Sequence, residues 1–476
     1  MPQGLGSAIA AVLASDLPDH PAARRSDIDL VLGARRLERN RLGTQSKASY
    51  ETALIWVLVY SGLAREAAVL ADQEVMELLQ RAAGTAPSAV QSVCYSVLSQ
   101  AYILNGRVQE GADCARIAIE YADEAGDDAC RYRASGLQAL AFALNGQFTE
   151  ARARVALAHT LCDEHGWAGS DWVLALAGML IATRRADAAA LEARLAALSQ
   201  AKSDHILNRI VGSLGRSWIA SLREDYQGAI AELQSVSHGA ELRTSPPFLV
   251  DLAVSLKALA LIHLGDYEAA LKAIGTRESP PSHSVCFELL RATIHIHLGE
   301  PRKALQATES CVRGCPDHNL RSLPSVFLRR AVAHEMLGNT ASADMEFSKS
   351  SHLAAKLGGI GPALALPLDI LETLLLRLVR NEPEFGQAIL DRIPLEGQYP
   401  DAKPSDVVPV PLTDRERVLA EWLITGMTLP EIAKELHASI NTLKTQTRSL
   451  YKKLEVSSRS EAISRLERLP RSEEHT

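Results

Sequence analysis

Aromatic residues are scarce in this chain. Five Trp, ten Tyr and seven Phe make up 5% of 476 residues, which fits closely spaced helices packed with alanine and leucine better than the core of a pocket-rich enzyme. Long apolar runs are also missing. The best stretches, around Val173–Thr183 and Leu371–Val379, meet a charge within about a dozen positions, so none reaches the ~18 uninterrupted apolar residues of a membrane span. The run from Leu5 to Leu13 has no basic lead-in and no convincing cleavage site, and it reads poorly as a signal peptide. The chain is therefore expected in a reducing cytoplasm. The seven cysteines are too few and odd in number for a disulfide scaffold; Cys94, Cys114, Cys130 and Cys162 lie in Ala/Leu-rich helical runs, where a thiol behaves as a small hydrophobe. The formal charge is only -7, which excludes a strongly basic nucleic-acid protein as a whole but not a basic part.

Chemical motifs are equally sparse. No Gly-Lys dipeptide occurs, so no loop can cradle phosphates in the P-loop manner, and Gly358-Gly359-Ile360-Gly361 lacks both the lysine and a leading strand. No Ser/His/Asp or paired-carboxylate arrangement stands out, and neither an enzyme nor a cofactor is expected. The most suggestive metal pattern is His283-x-x-Cys286 followed by Cys311, Cys315 and His318. Its two halves flank the turn at Gly299, and repeat cores use cysteine routinely, so these residues read as structural. His295 and His297 are two apart and point away from one another on a helix.

What the chain does contain is a repeat. A turn recurs with a small residue five positions later: Gly62 with Ala67, Gly106 with Gly111, Gly146 with Ala151, Gly265 with Ala270, Gly299 with Ala304 and Gly338 with Ala343, plus Glu224 with Ala229 and a weaker copy near Arg184 with Ala189. The interval is near 40 residues, the mark of tandem units. Apolar stripes at i, i+3, i+4 precede and follow each turn, for example Val93, Val97, Leu98, Ala101 and Tyr102, then Ala115, Ala118 and Tyr121. The expected architecture is a stack of helical hairpins, an α-solenoid whose concave face is a docking surface for peptides, proteins or small ligands. No pocket residues stand out. Phrases such as Leu264-Gly265-Asp266-Tyr267-Glu268-Ala269-Ala270 resemble the centre of a tetratricopeptide repeat.

Near the C-terminus the pattern changes. Pro394, Pro400, Pro404, Pro409 and Pro411 mark residues 393–411 as an extended linker. Beyond it, Thr413…Glu416, Thr428…Glu431 and Ser458…Glu461 each have the hydroxyl and glutamate that cap a helix start reciprocally, and Ser439 caps a fourth. The expected helices are Asp414–Thr425, Leu429–Leu436, Ile440–Leu454 and Arg459–Leu469, with only Ala438-Ser439 between the middle two, the spacing of a helix-turn-helix. The third has Lys444, Arg448 and Lys452 on one face, joined by Lys453, and Leu443, Leu450 and Leu454 opposite. Residues 412–470 hold ten Lys/Arg against eight Asp/Glu, so this part is net +2 while the first 411 residues carry -8.

The phrases Leu412-Thr413-Asp414-Arg415-Glu416-Arg417-Val418-Leu419, Gly426-Met427-Thr428-Leu429-Pro430-Glu431-Ile432-Ala433, Asn441-Thr442-Leu443-Lys444-Thr445 and Tyr451-Lys452-Lys453-Leu454-Glu455-Val456 resemble the LuxR/FixJ-type DNA-binding domain from end to end. The resemblance implies a recognition helix in which Lys444, Thr445 and Arg448 read bases while Thr442, Lys452 and Lys453 hold phosphates. It implies fold positions at Glu416, Ile432, Ala433, Leu443 and Leu454, and pairing of two domains on DNA through the helix around Ala462–Leu466. Gln446 stands where many members have histidine, a change that bears on site preference. The array in front of this domain resembles the helical-repeat sensor of the large maltose-activator-like regulators, which also carry an ATP-binding domain. Residues 1–45 are too few for such a domain and are expected to form a cap or partial repeat. The organisation expected is thus 1–45 cap, 46–392 helical-repeat sensor, 393–411 linker, 412–470 helix-turn-helix and 471–476 tail. The function expected is a transcription regulator, homodimeric on promoter DNA, whose repeat domain responds to a small-molecule or protein effector. The competing reading is a helical-repeat adaptor with an accessory C-terminal domain.

Overall fold

The computed structural model describes residues 4–18, 23–34, 42–167, 171–184, 186–200, 206–237, 245–280, 282–313, 318–357 and 366–390, and in the C-terminal part 418–420, 422–423, 432–434, 436, 443, 446–447, 450–451, 453, 456 and 462. The chain divides into two compact units, Met1–Ile393 and Pro394–Thr476. The expected all-α class holds, with no strand among the described residues. None of the described helices is long and apolar enough to cross a membrane.

In the first unit the helices are α1 Leu5–Ala14, α2 Arg25–Gly33, α3 Thr44–Tyr60, α4 Ala64–Leu70, α5 Met76–Ala82, α6 Ser88–Leu104, α7 Val108–Ala125, α8 Asp128–Asn145, α9 Phe148–His165, α10 Trp172–Thr183, α11 Ala188–Gln200, α12 Ile206–Leu222, α13 Tyr226–Glu232, α14 Gln234–Ser237, α15 Pro247–His263, α16 Tyr267–Ile274, α17 Phe287–His297, α18 Pro301–Ala307, α19 Glu309–Arg313, α20 Leu323–Met336, α21 Thr340–Lys356, α22 Leu368–Asn381 and α23 Pro383–Leu390. Each first helix packs on its hairpin partner, as α6 does on α7 and α20 on α21. It also packs on the next first helix, in the succession α3, α6, α8, α10, α12, α15, α17, α20, α22. The first helices form the inner layer: α6, α8 and α10 bury most of their residues, small polar ones among them, whereas α7 buries one stripe that includes Val108, Cys114, Ala115, Ala118 and Ala122. Side-chain carboxylates close several helix starts, with Asp127, Asp171, Asp225 and Asp266 accepting from the backbone N–H three residues on.

The turns carry the repeat. Gly62, Gly106, Gly146, Gly265, Gly299 and Gly338 all have positive φ, and Glu224 adopts the same left-handed conformation at φ 61° where glycine is absent. The fourth turn needs a correction. Arg184 is right-handed, and the left-handed residue is Ala186 at φ 52°. The buried position five residues later is therefore Leu191, not the exposed Ala189. Leucine fills the slot that alanine or glycine fills in the other copies, which hid this register from a search for small residues.

One further joint repeats. His263 at the end of α15 stacks on Tyr226 at the start of α13 (centroids 4.6 Å, planes 2° apart), and His297 at the end of α17 stacks on Tyr267 at the start of α16 (5.2 Å, 10°). His295 instead faces Glu300 at 2.8 Å, so the two histidines diverge as their spacing requires. The array also curls far enough for α15 to touch α6. The loop before α17 and the segment before α20 reach the early turns: Ser282 Oγ donates to Gly106 O at 2.9 Å and Asn319 Nδ2 to Leu144 O at 2.5 Å. These approaches require glycine, since a Cβ on Gly106 would lie 2.8 Å from Pro280 Cβ and one on Gly146 2.6 Å from the Arg321 nitrogen.

Candidate DNA-binding site and effector cavity

The C-terminal unit is held by its own small core. Leu419, Ala420 and Leu423 come from the first expected helix, Ile432 and Ala433 from the second, Leu443 and Leu450 from the third and Ala462 from the fourth, with Trp422, Leu436, Tyr451 and Val456 against them. All the described helical residues of this unit fall inside the four ranges read from the sequence. Among the described residues of the third helix, the buried positions are Leu443, Thr447 and Leu450, spaced i, i+4, i+7. Thr447 tolerates burial because its hydroxyl donates back to Leu443 O at 2.8 Å. The Val456 N–H bonds to Tyr451 O at 3.0 Å, a six-to-one closure that ends the helix.

Of the residues expected to touch DNA, Lys453 is described: it is helical and half-buried. Thr442, Lys444, Thr445, Arg448 and Lys452 lie outside the described residues, as do Glu416, Leu454 and the capping residues Thr413, Thr428, Ser439 and Ser458. Ile432, Ala433 and Leu443, given fold roles by resemblance, are all buried.

A second site has no counterpart in the sequence reading. A cavity of about 430 Å³ opens between the end of α1 and the helices α3, α8 and α10, lined among others by Asp16, Trp56, Tyr60, Tyr132, Arg133, Asp171, Trp172 and Asn208. Arg133 is 5% exposed and is held by Asp16 at 2.8 Å and Asp171 at 3.2 Å. Burial opposes its charge, but Asp16, Tyr60 and Asp171 outweigh that and keep the guanidinium above its ordinary value. Asp16 also accepts from Trp56 Nε1 at 2.9 Å and from Tyr60 Oη at 2.7 Å, and Gln100 Nε2 donates to Tyr60 at 2.9 Å. Burial, and then the Asp16 charge, push the Tyr60 hydroxyl well above its usual range, so it stays protonated and donating. Trp172 Nε1 is buried with no hydrogen-bond partner among the described residues. Asp16 and Arg133 are 117 positions apart in sequence, and their pairing could not be read from any local pattern.

Residues 410–466 match the family model described as bacterial regulatory proteins, luxR family. The C-terminal unit thus carries a LuxR-type helix-turn-helix, a DNA-binding domain. Over 85 residues the chain is 33% identical to the HTH-type transcriptional regulator MalT of Yersinia pestis (strain Pestoides F) and to that of Yersinia pseudotuberculosis serotype O:1b (strain IP 31758). The similar stretch is 18% of this chain and 9% of each relative. It is what this chain shares with those regulators.

Proposed function

We propose that the protein is a cytoplasmic transcription regulator in which an α-solenoid of helical hairpins receives an effector and controls a C-terminal helix-turn-helix acting on promoter DNA as a dimer. The observation that carries this reading is the burial pattern of the third C-terminal helix. With Leu443, Thr447 and Leu450 facing the core, a continuous helix of 3.6 residues per turn would put Thr445, Arg448 and Lys452 within about 50° of the opposite direction. Lys444 falls on one flank and Lys453 on the other. A cationic face turned away from the core is what a major-groove helix requires. Lys444, Thr445 and Arg448 are assigned to base edges and Thr442, Lys452 and Lys453 to phosphates.

Footprinting of the full chain on the promoters it occupies in cells tests this. Replacing Lys444 and Arg448 together with alanine should abolish sequence-specific protection, each good base contact contributing about 1–3 kcal/mol of discrimination. Lys452→Ala and Lys453→Ala should weaken binding to every duplex and flatten the salt dependence by about one per lysine. Unchanged promoter protection by the double alanine variant would remove the recognition helix from the reading.

The effector is assigned to the cavity around Arg133. Its size suits a small molecule, its aromatic walls offer flat apolar surface, and the Trp172 N–H offers a donor with no acceptor among the described residues. A binder found by thermal-shift screening should lose its effect in Trp172→Phe, which keeps an aromatic side chain and removes the N–H.

A further inference from the structure

The two halves of the His/Cys pattern come together in space. Cys286 sits at the N-cap of α17 and Cys311 in α19, on opposite sides of the α17–α18 hairpin, yet their Sγ atoms are 3.9 Å apart. His318 Nε2 is 3.9 Å from Cys286 Sγ, and His283 Nδ1 is 3.8 Å from Cys311 Sγ. One ligand atom from each of the four residues lies within 4.8 Å of all the others. A tetrahedral zinc with Zn–S near 2.3 Å and Zn–N near 2.0–2.1 Å separates its ligand atoms by roughly 3.4–3.8 Å. Three of the separations in the cluster, 3.8–3.9 Å, are thus within a few tenths of an ångström of those in a closed zinc site, and none exceeds 4.8 Å.

We infer that His283, Cys286, Cys311 and His318 form a structural zinc site. Three observations support the ligand set. Cys286, Cys311 and His318 are buried, and two thiolates with two neutral imidazoles neutralise a divalent ion, so the centre carries no net charge into the interior. Binding releases the thiol protons to solvent. His318 holds its other ring nitrogen, Nδ1, 3.1 Å from Asn319 O, the outer hydrogen bond that orients a ligating imidazole with Nε2 toward the metal. His283 adopts φ 50°, a conformation costly for a side-chain-bearing residue and one that persists where the surroundings demand it. Glu288 lies beside the set, its Oε2 3.6 Å from His283 Nδ1 and 3.7 Å from Cys286 Sγ.

The site's position gives it a task. Ser282 and Asn319, each beside a ligand, make the hydrogen bonds to Gly106 O and Leu144 O that link this part of the array to its early turns, and Asn319 N donates to Ser282 O at 2.9 Å. A bound metal fastens both docking segments to one point. The site does not depend on the DNA-binding proposal, and its test reads neither DNA nor effector.

The experiment is metal analysis of the purified full chain after dialysis against buffer without chelator. About one zinc per chain is expected, with loss in Cys286→Ser and in Cys311→Ser and retention in Cys162→Ser and Cys315→Ser. Because a ligand variant can misfold, the wild-type chain is also stripped with a strong chelator and titrated with Co2+. Tetrahedral cobalt should show intense visible bands together with thiolate charge transfer in the near ultraviolet. Hydrogen exchange around residues 282–286 and 318–322 should rise on stripping and fall again on reloading. A chain without zinc that gives only the pale spectrum of octahedral cobalt would overturn the inference. A Cys286–Cys311 disulfide, seen as a mass lower by two hydrogens, would overturn it too, and so would loss of zinc in Cys315→Ser.

Discussion

Gly146 and Gly299 occupy equivalent turns with nearly the same backbone, φ 84° and 70°, and differ in what surrounds them. A Cβ on Gly299 would meet nothing within 4 Å, whereas one on Gly146 would lie 2.6 Å from a backbone nitrogen of residue 321. Gly299→Ala should therefore cost only the conformational penalty of a left-handed alanine, about 1–2 kcal/mol. Gly146→Ala should cost more and also raise hydrogen exchange in residues 318–322. Comparing the melting temperatures and exchange of the two variants checks this; equal losses would mean that the contact between distant turns contributes nothing. Asp16 offers a second residue-scale test, since it accepts from Trp56 and Tyr60 and pairs with buried Arg133. Asp16→Ala removes one of the two carboxylates beside the guanidinium and the acceptor that Trp56 and Tyr60 use, so a destabilisation of about 3 kcal/mol is expected in thermal unfolding.

For the helices, the register of α11 is decided by which residue follows a left-handed turn at a distance of five. With the turn at Ala186, Leu191 is fully buried and Ala189 exposed. Leu191→Ala should cost about 2–5 kcal/mol through the cavity it leaves, and Ala189→Ser should stay within about 0.5 kcal/mol of the parent. Chemical denaturation of both variants distinguishes this register from the one that pairs Arg184 with Ala189. The hairpin period was legible in the sequence because turn glycines and small residues recur at fixed offsets. It failed at the one copy where neither marker residue survives. The His–Tyr stacks at His263 and His297 went unread because the pairing joins successive repeats.

Charge and topology belong to the whole molecule. The first 411 residues carry -8 and residues 412–470 carry +2, so the mild overall acidity averages two unlike parts and is compatible with DNA binding by the smaller one. The same scale governs the two sites in the array. The cavity gathers residues from the segment after α1 and from α3, α8 and the start of α10, and the thiol–imidazole cluster joins the start of α17 to α19 and His318.

The sequence by itself determined the class of the fold, the hairpin period, the capped C-terminal helices and the LuxR-type phrases, because each rests on residues within a few turns of one another, where helical spacing and capping act. The side of the third C-terminal helix that meets the core was legible for the same reason: Leu443 and Leu450 lie seven residues apart. Only the tertiary structure decided that Asp16 reaches Arg133, that Gly146 must be glycine to admit the backbone of Arg321, and that Cys286 faces Cys311. Those contacts depend on how far the array curls per repeat, a sum of small packing angles that no local pattern encodes.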